Sequence, residues 1–196
     1  ELINKGKTKD VYRIDDKTVR LLFKDDVTGA DGVFDPGAND VGLQIEGIGN
    51  LGLRLTTFFF EKLSDIVPTH FIASDISNNT MDVKLCKPFG NGLEVICRLQ
   101  AAGSFIRRYG AYIKEYTPLD YLVEFTLKDD QRQDPLITED SLIALKILDQ
   151  KQYDVLEKYT VAITQALKSC LSDLDLELID IKYEYGFANN EIVLMD

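Results

Sequence analysis

The stretch LIDIKYEYGFANNEIVLMD, residues 178 to 196, alternates apolar and polar side chains, and it constrains the fold more than any other segment. Successive side chains of an extended chain point to opposite faces. Ile179, Ile181, Tyr183 and Tyr185 therefore share one face, and Asp180, Lys182 and Glu184 share the other. The apolar face must be covered, so this segment has to join a sheet that carries a further layer of structure. The polar face is either a solvated strand face or a site, because carboxylates beside a lysine suit Mg²⁺ that carries nucleotide phosphates. The turn bears on this choice. A three-residue loop, 189–191, would pair Ala188 with Ile192 and set Asp196 opposite Glu184. A two-residue turn at Asn189 and Asn190 would send Asp196 to the opposite face, and the magnesium reading then requires a bulge.

Upstream, KGKTKDVYRID, KTVRLLFKDD, MDVKLCKPF and LEVICRLQ carry β-branched or aromatic residues between turn formers and read as strands. Residues 51–64 read as a helix with Leu51, Leu55, Phe58, Phe59 and Leu63 packed on the sheet. Two more helices are expected, over 138–147 and about 150–174. In the longer one Leu156, Tyr159, Ile163, Leu167, Cys170, Leu171 and Leu174 recur at core spacing, and Asp149 with Gln152 resembles a capping arrangement. Strands first, then strands mixed with helices, indicate an α+β protein. PFGNG at 88–92 is the clearest breaker and suggests two domains, 1–88 and 89–196.

A formal charge of −11 argues against a general electrostatic grip on nucleic acid or an anionic membrane, so an anionic ligand would need local basic residues. Cys86, Cys97 and Cys170 are widely spaced in apolar runs and fit neither a disulfide framework nor a zinc pattern. No run of about 18 apolar residues occurs, and ELINKGKTKD lacks a signal-like hydrophobic core, so a soluble cytoplasmic protein is expected.

Several short segments could carry chemistry. GKTKDVY puts Lys7 and Lys9 on one side of an expected strand after Gly6, as a phosphate clamp or as an edge strand guarded by lysines. In LFKDDVTGADG, Asp25, Asp26 and Asp31 could cap, turn or bind a cation. EVICRLQAAGSFIRRYG places Arg98 inside an otherwise buried strand, and a small-residue loop then leads to Ser104, Arg107 and Arg108. These residues suit phosphate or carboxylate, although a structural ion pair is the competing reading. KDDQRQDP gathers Asp129, Asp130 and Asp134 in a turn. His70, the single histidine, reads as structural.

Taken in order, GKTKDVY, FKDDVTGADG, PTHF, EVICRLQAAGSFIRRYG, KDDQRQDP and DIKYEYGF with EIVLMD resemble the SAICAR synthetase family across nearly the whole chain. The resemblance implies a two-lobed fold, a mainly antiparallel sheet lobe plus a helix-bearing α+β lobe, with the ATP cleft between them. It implies a ligase of purine biosynthesis that joins L-aspartate to the carboxylate of the ribotide CAIR. ATP is consumed with Mg²⁺, through an acyl phosphate. Gly6, Lys7, Lys9 and Lys84 match nucleotide-side positions. Arg98 and Ser104 match positions for the ribotide phosphate or the substrate carboxylates. Asp134, Asp180 and Lys182 match polar residues lining the CAIR side, with Asp180 and Lys182 the catalytic candidates, and Glu184 and Asp196 match the magnesium carboxylates. Asp31, Lys128 and Asp130 are further candidates. A homo-oligomer, with a dimer favoured, is expected. In the family the pattern continues past the position of Asp196 with an acidic residue, a Ser-Pro-Asp segment, an arginine and a final helix, so part of the CAIR site is expected there. Rival readings are a kinase-like phosphotransferase and a non-catalytic nucleotide-binding module.

Overall fold

The computed structural model describes the chain apart from Asp31 and residues 35–40, and apart from the side chains of Ala30 and Asp130. The candidate Asp31 thus lies outside the described residues, as does the side chain of Asp130. Contacts gather the chain into two compact units, residues 1–65 with 69–86 and residues 66–68 with 87–196. The turn at 88–92 falls wholly in the second unit.

The first unit contains, in order, β1 (Leu2–Lys5), β2 (Lys9–Arg13), β3 (Thr18–Phe23), β4 (Asp26–Ala30), β5 (Val33–Phe34), β6 (Val41–Gln44), α1 (Ile48–Leu63), β7 (Phe71–Asp75) and β8 (Thr80–Lys84). They form an antiparallel sheet in the order β1-β2-β3-β8-β7 and a smaller one, β5-β4-β6. Asp25 caps α1 from outside the helix, its carboxylate accepting from the backbone N–H of Gly47 at 3.1 Å and of Gly49 at 2.9 Å. Asp26 pairs with Lys24 at 3.0 Å and accepts from Gln44 at 2.7 Å, so both aspartates are committed to structure.

The buried face of α1 differs in part from the expected one: Leu63 is buried as expected and Phe59 is half-buried, but the other three positions face outward. Leu53, Phe60 and Leu63 are buried, whereas Leu51, Leu55 and Phe58 are 60%, 56% and 50% exposed. The helix carries two apolar stripes at similar spacing, and periodicity does not choose between them. Glycine does choose, because a Cβ on Gly49 would stand 2.7 Å from the Lys24 carbonyl oxygen, so the face bearing Gly49 must lie inward.

The second unit contains β9 (Lys87–Pro88), β10 (Leu93–Gln100), α2 (Ser104–Tyr109), β11 (Pro118–Leu127), α3 (Glu139–Ala144), α4 (Gln150–Ser172), β12 (Asp180–Ala188) and β13 (Glu191–Leu194). Its antiparallel sheet runs β11-β10-β12-β13, with β9 pairing to β12. α4 opens with a capping box in which Asp149 and Gln152 exchange bonds with each other's backbone N–H. Its Leu156, Ile163 and Leu167 are buried, while Leu174 lies beyond the helix end and is exposed.

Two threonines that an apolar count passes over, Thr160 and Thr164, are fully buried on α4. Their hydroxyls meet Tyr185 and Tyr183 respectively, each at 2.9 Å, so the apolar face of β12 buries its rings without stranding their polar tips. Burial pushes both phenol pKa values upward, only partly offset by these bonds. Thr160→Val is expected to cost about 1–3 kcal/mol by denaturant titration, because it strands the Tyr185 hydroxyl. Adding Tyr185→Phe should recover part of that loss; fully additive losses would show that the bond is not coupled.

His70 is buried against the Phe60 ring, with centroids 5.1 Å apart. The three cysteines are free thiols, and burial raises Cys86 to about 11. No described helix is long and apolar enough to cross a membrane.

Candidate active site

The register of the second sheet builds a charged surface from three strands. Arg98 on β10 stands opposite Asp180 on β12, and Glu94 opposite Glu184; on the other side Glu94 stands opposite Thr126 of β11. Directly opposed residues share a face, so the polar side of β12 continues across β10. Arg98 is 2% exposed and makes three side-chain bonds there. Its Nε donates to Glu124 at 2.6 Å, Nη1 to Asp180 at 2.7 Å and Nη2 to the Ser104 hydroxyl at 2.8 Å. Ser104 reaches it because Ala101, Ala102 and Gly103 turn the chain tightly from β10 into α2. Glu124 also takes Arg108, whose Nη2 lies 2.8 and 2.7 Å from its two oxygens.

One step along the strand, the Lys182 Nζ donates to Glu94 at 2.6 Å and lies 3.5 Å from Glu184. Burial disfavours the ammonium, but the bond to Glu94 and the charges of Glu94, Glu184 and Asp196 hold its pKa above the usual lysine value. Its contribution to stability is therefore complete below the unfolded lysine value, about 10.4, and is lost only as pH rises through the higher folded value. At neutral pH Lys182 is a cation and no base. Lys128 donates to both oxygens of Glu184, at 2.7 and 2.9 Å.

The β12–β13 hairpin has the two-residue turn, with Asn189 and Asn190 at φ 53° and 65° and Ala188 paired to Glu191. The three-residue loop is thus not the one formed. A bulge follows instead, because the backbone N–H groups of Met195 and Asp196 both donate to the Glu184 carbonyl, at 2.9 and 3.3 Å, and the Asp196 carbonyl accepts from Glu184 at 2.8 Å. Two residues face one, and Asp196 is brought level with Glu184 after all. Its carboxylate acts on Lys182, which places it with the charged face.

Asp134 serves its own loop. At φ 47° it folds back so that its carboxylate accepts from the Asp129 N–H at 2.8 Å. Asp129 in turn pairs with Arg132 at 2.6 Å.

The nucleotide-side candidates belong to the first unit, and here one expectation fails. Lys7 and Lys9 do not lie along one strand: Gly6 to Thr8 form the bend between β1 and β2, and only Lys9 enters β2. The bend closes where the Gly6 N–H donates to the Lys9 carbonyl at 3.0 Å, and a Cβ on Gly6 would overlap that oxygen. Lys24, which sequence reading treats as an ordinary strand residue, braces the bend. Its Nζ donates to the Gly6 carbonyl at 2.8 Å and lies 3.4 Å from Asp10. The Lys9 ammonium stands 5.3 Å from the centre of the Phe23 ring, and the Lys84 ammonium donates to the Thr69 carbonyl at 3.0 Å.

Among the described residues no group of three or more His, Cys, Asp or Glu side chains is disposed to hold a metal. Glu184 and Asp196 instead offer a pair of hard oxygen donors beside two ammonium groups. This donor set fits Mg²⁺, which takes one or two carboxylates and completes its shell with phosphate and water. The family model for SAICAR synthetase matches residues 2–196.

The chain belongs to the SAICAR synthetase family.

It is 54% identical over 198 residues to the phosphoribosylaminoimidazole-succinocarboxamide synthase of Clostridium tetani, covering all of this chain and 87% of that one. Against the enzyme of the same name from Streptococcus uberis the identity is 36% over 202 residues, with 100% and 80% covered. A solved SAICAR synthetase (Type-2) in complex with ADP superposes with a TM-score of 0.85 at 30% identity, covering 100% of this chain and 79% of that one. The α+β reading with antiparallel sheets agrees with this SAICAR synthetase structure. Sequence reasoning missed Glu94, Glu124 and Thr126 on the charged face. The usable signal was polar residues on one alternating face of each strand, Glu94, Arg98 and Gln100 in LEVICRLQ and Glu124 and Thr126 in YLVEFTL, read together with DIKYE.

Proposed function

We infer that this chain is a phosphoribosylaminoimidazole-succinocarboxamide synthase, a carbon–nitrogen ligase of purine biosynthesis. The observation that carries the reading is the family match along 2–196. The charged face formed by Arg98, Asp180, Lys182, Glu184 and Asp196 supports it chemically.

L-Aspartate is joined to CAIR at the expense of ATP. In the first step a CAIR carboxylate oxygen attacks the γ-phosphorus and ADP leaves; in the second the aspartate amine attacks the acyl carbon and phosphate leaves. Gly6, Lys7, Lys9 and Lys84 serve the nucleotide, and the solved relative in complex with ADP supports that part of the reading. Glu184 and Asp196 would hold Mg²⁺, which when bound supplies positive charge to the phosphates.

Lys182, a cation fixed by Glu94, offsets charge on the phosphoryl group in transfer, where positioning and electrostatics dominate. Arg98 has two N–H groups beyond the three already engaged. Buried as it is, it acts on the substrate side by ordering Asp180 and Ser104; Asp134 is assigned to that side on the resemblance.

The test is ATP turnover with each substrate withheld in turn. Turnover that needs both CAIR and aspartate supports the ligase; phosphoryl transfer to an unrelated hydroxyl, or Mg·ATP binding without turnover, would overturn it. A homodimer is the assembly we assign, supported by the apolar stripe of Leu51, Leu55 and Phe58 left exposed on α1. Sedimentation at assay concentration that finds only monomer would remove it.

A further inference from the structure

We propose that Thr126 is a positioning residue for the ligase reaction, fixing the place of the Lys182 ammonium through Glu94. The inference rests on the assignment of Lys182 to the transferring phosphoryl group.

Thr126, Glu94 and Glu184 stand directly opposite one another across β11, β10 and β12. Two facing carboxylates repel, and a free glutamate side chain in that row would turn away from its neighbour. Thr126 prevents this: its hydroxyl donates to Glu94 Oε2 at 2.8 Å, which leaves Oε1 aimed at the Lys182 Nζ, 2.6 Å away. The carboxylate can only accept, so the direction of the first bond is settled. Thr126 is 4% exposed and β-branched, so its hydroxyl has few alternative places; the Glu94 side chain is 9% exposed.

Lys182 is the opposite kind of group, a flexible stem whose side chain is 47% exposed. Its contact with Glu184 is the longer one, at 3.5 Å, so the ammonium takes its location from Glu94. A buried hydroxyl thereby determines where an accessible cation stands. Thr126 itself bonds to Glu94 and to no atom that reacts.

A merely structural Thr126 would affect stability alone, whereas a positioning one affects turnover. In the assay with CAIR, aspartate and Mg·ATP, Thr126→Val should lower kcat about tenfold while KM for ATP and for CAIR stays within about twofold, in line with the cost of small misplacements at a reacting centre. Thr126→Ser, which keeps the hydroxyl, should restore kcat to within about twofold of the unaltered chain. A folded valine variant with unaltered kcat would overturn the proposal, as would a serine variant impaired as severely as valine. Should the valine variant fail to fold, Glu94→Gln takes its place, since an amide accepts from Lys182 without a charge to hold it. The same fall in kcat is expected there, and unaltered kcat overturns the proposal. An unaltered chain that does not need CAIR and aspartate for turnover refutes the ligase reading and this inference with it. A ligase unaffected by the substitutions refutes the role of Thr126 alone.

Discussion

An Arg98→Ala chain should unfold about 3–5 kcal/mol more easily than the unaltered one, the scale expected when one member of a buried charge network is removed. The loss is that large because Arg98 is not a lone cation. It satisfies Glu124, Asp180 and Ser104 together, through three separate donors. Glu124 is nearly buried, so without Arg98 it keeps only Arg108, whereas Asp180 is open enough for water to replace part of its bond. The expectation would fail if the denaturant midpoint were unmoved at constant m-value. Under conditions where the variant is folded, its apparent CAIR requirement should rise far more than its ATP requirement. The reverse would mean that the substrate and nucleotide sides have been exchanged.

Glu184→Gln should leave the fold nearly intact, since an amide oxygen still accepts from Lys128 and Lys182. On the metal role proposed for Glu184, its effect falls on Mg²⁺ binding. Losing even an outer partner of a metal ligand commonly costs about 10–100-fold in metal affinity, and loss of the carboxylate itself should raise the Mg²⁺ requirement at least that much. A titration of turnover against Mg²⁺ at saturating ATP reads this directly. An unmoved titration would take Glu184 out of the metal site.

The sequence was informative where one strand or one helix determines the outcome. The alternation from Ile179 to Tyr185 placed both faces of β12 correctly, and Asp149 with Gln152 marked the start of α4. It was silent where the outcome depends on register between distant segments. Nothing local to LEVICRLQ says that Arg98 will face Glu124, 26 residues away, or Asp180, 82 residues away. Leu51, Leu55 and Phe58 were placed on the buried side of α1, unlike the correctly placed Leu63, because the helix is apolar on two sides, and contact with the Lys24 carbonyl decides between them. Lys7 and Lys9 were assigned to one strand because Gly6 was taken to precede a strand, whereas it closes a bend. For Asp196 the alternatives were posed correctly by parity, but the bulge that settles them is a tertiary event written in no single residue type.

That bulge separates two demands otherwise in conflict within a short hairpin. The tip at Asn189 and Asn190 keeps the shortest connection, which costs the least loop-closure entropy and needs only residues that tolerate positive φ. The odd count needed to align two carboxylates is supplied six residues downstream, at Met195 and Asp196, beside the groups it serves. Substitutions at the tip that keep its two-residue length can therefore tune how readily the hairpin closes without disturbing the alignment of its charged end. The hairpin is modular in this sense, with a replaceable cap at one end and a fixed instrument at the other.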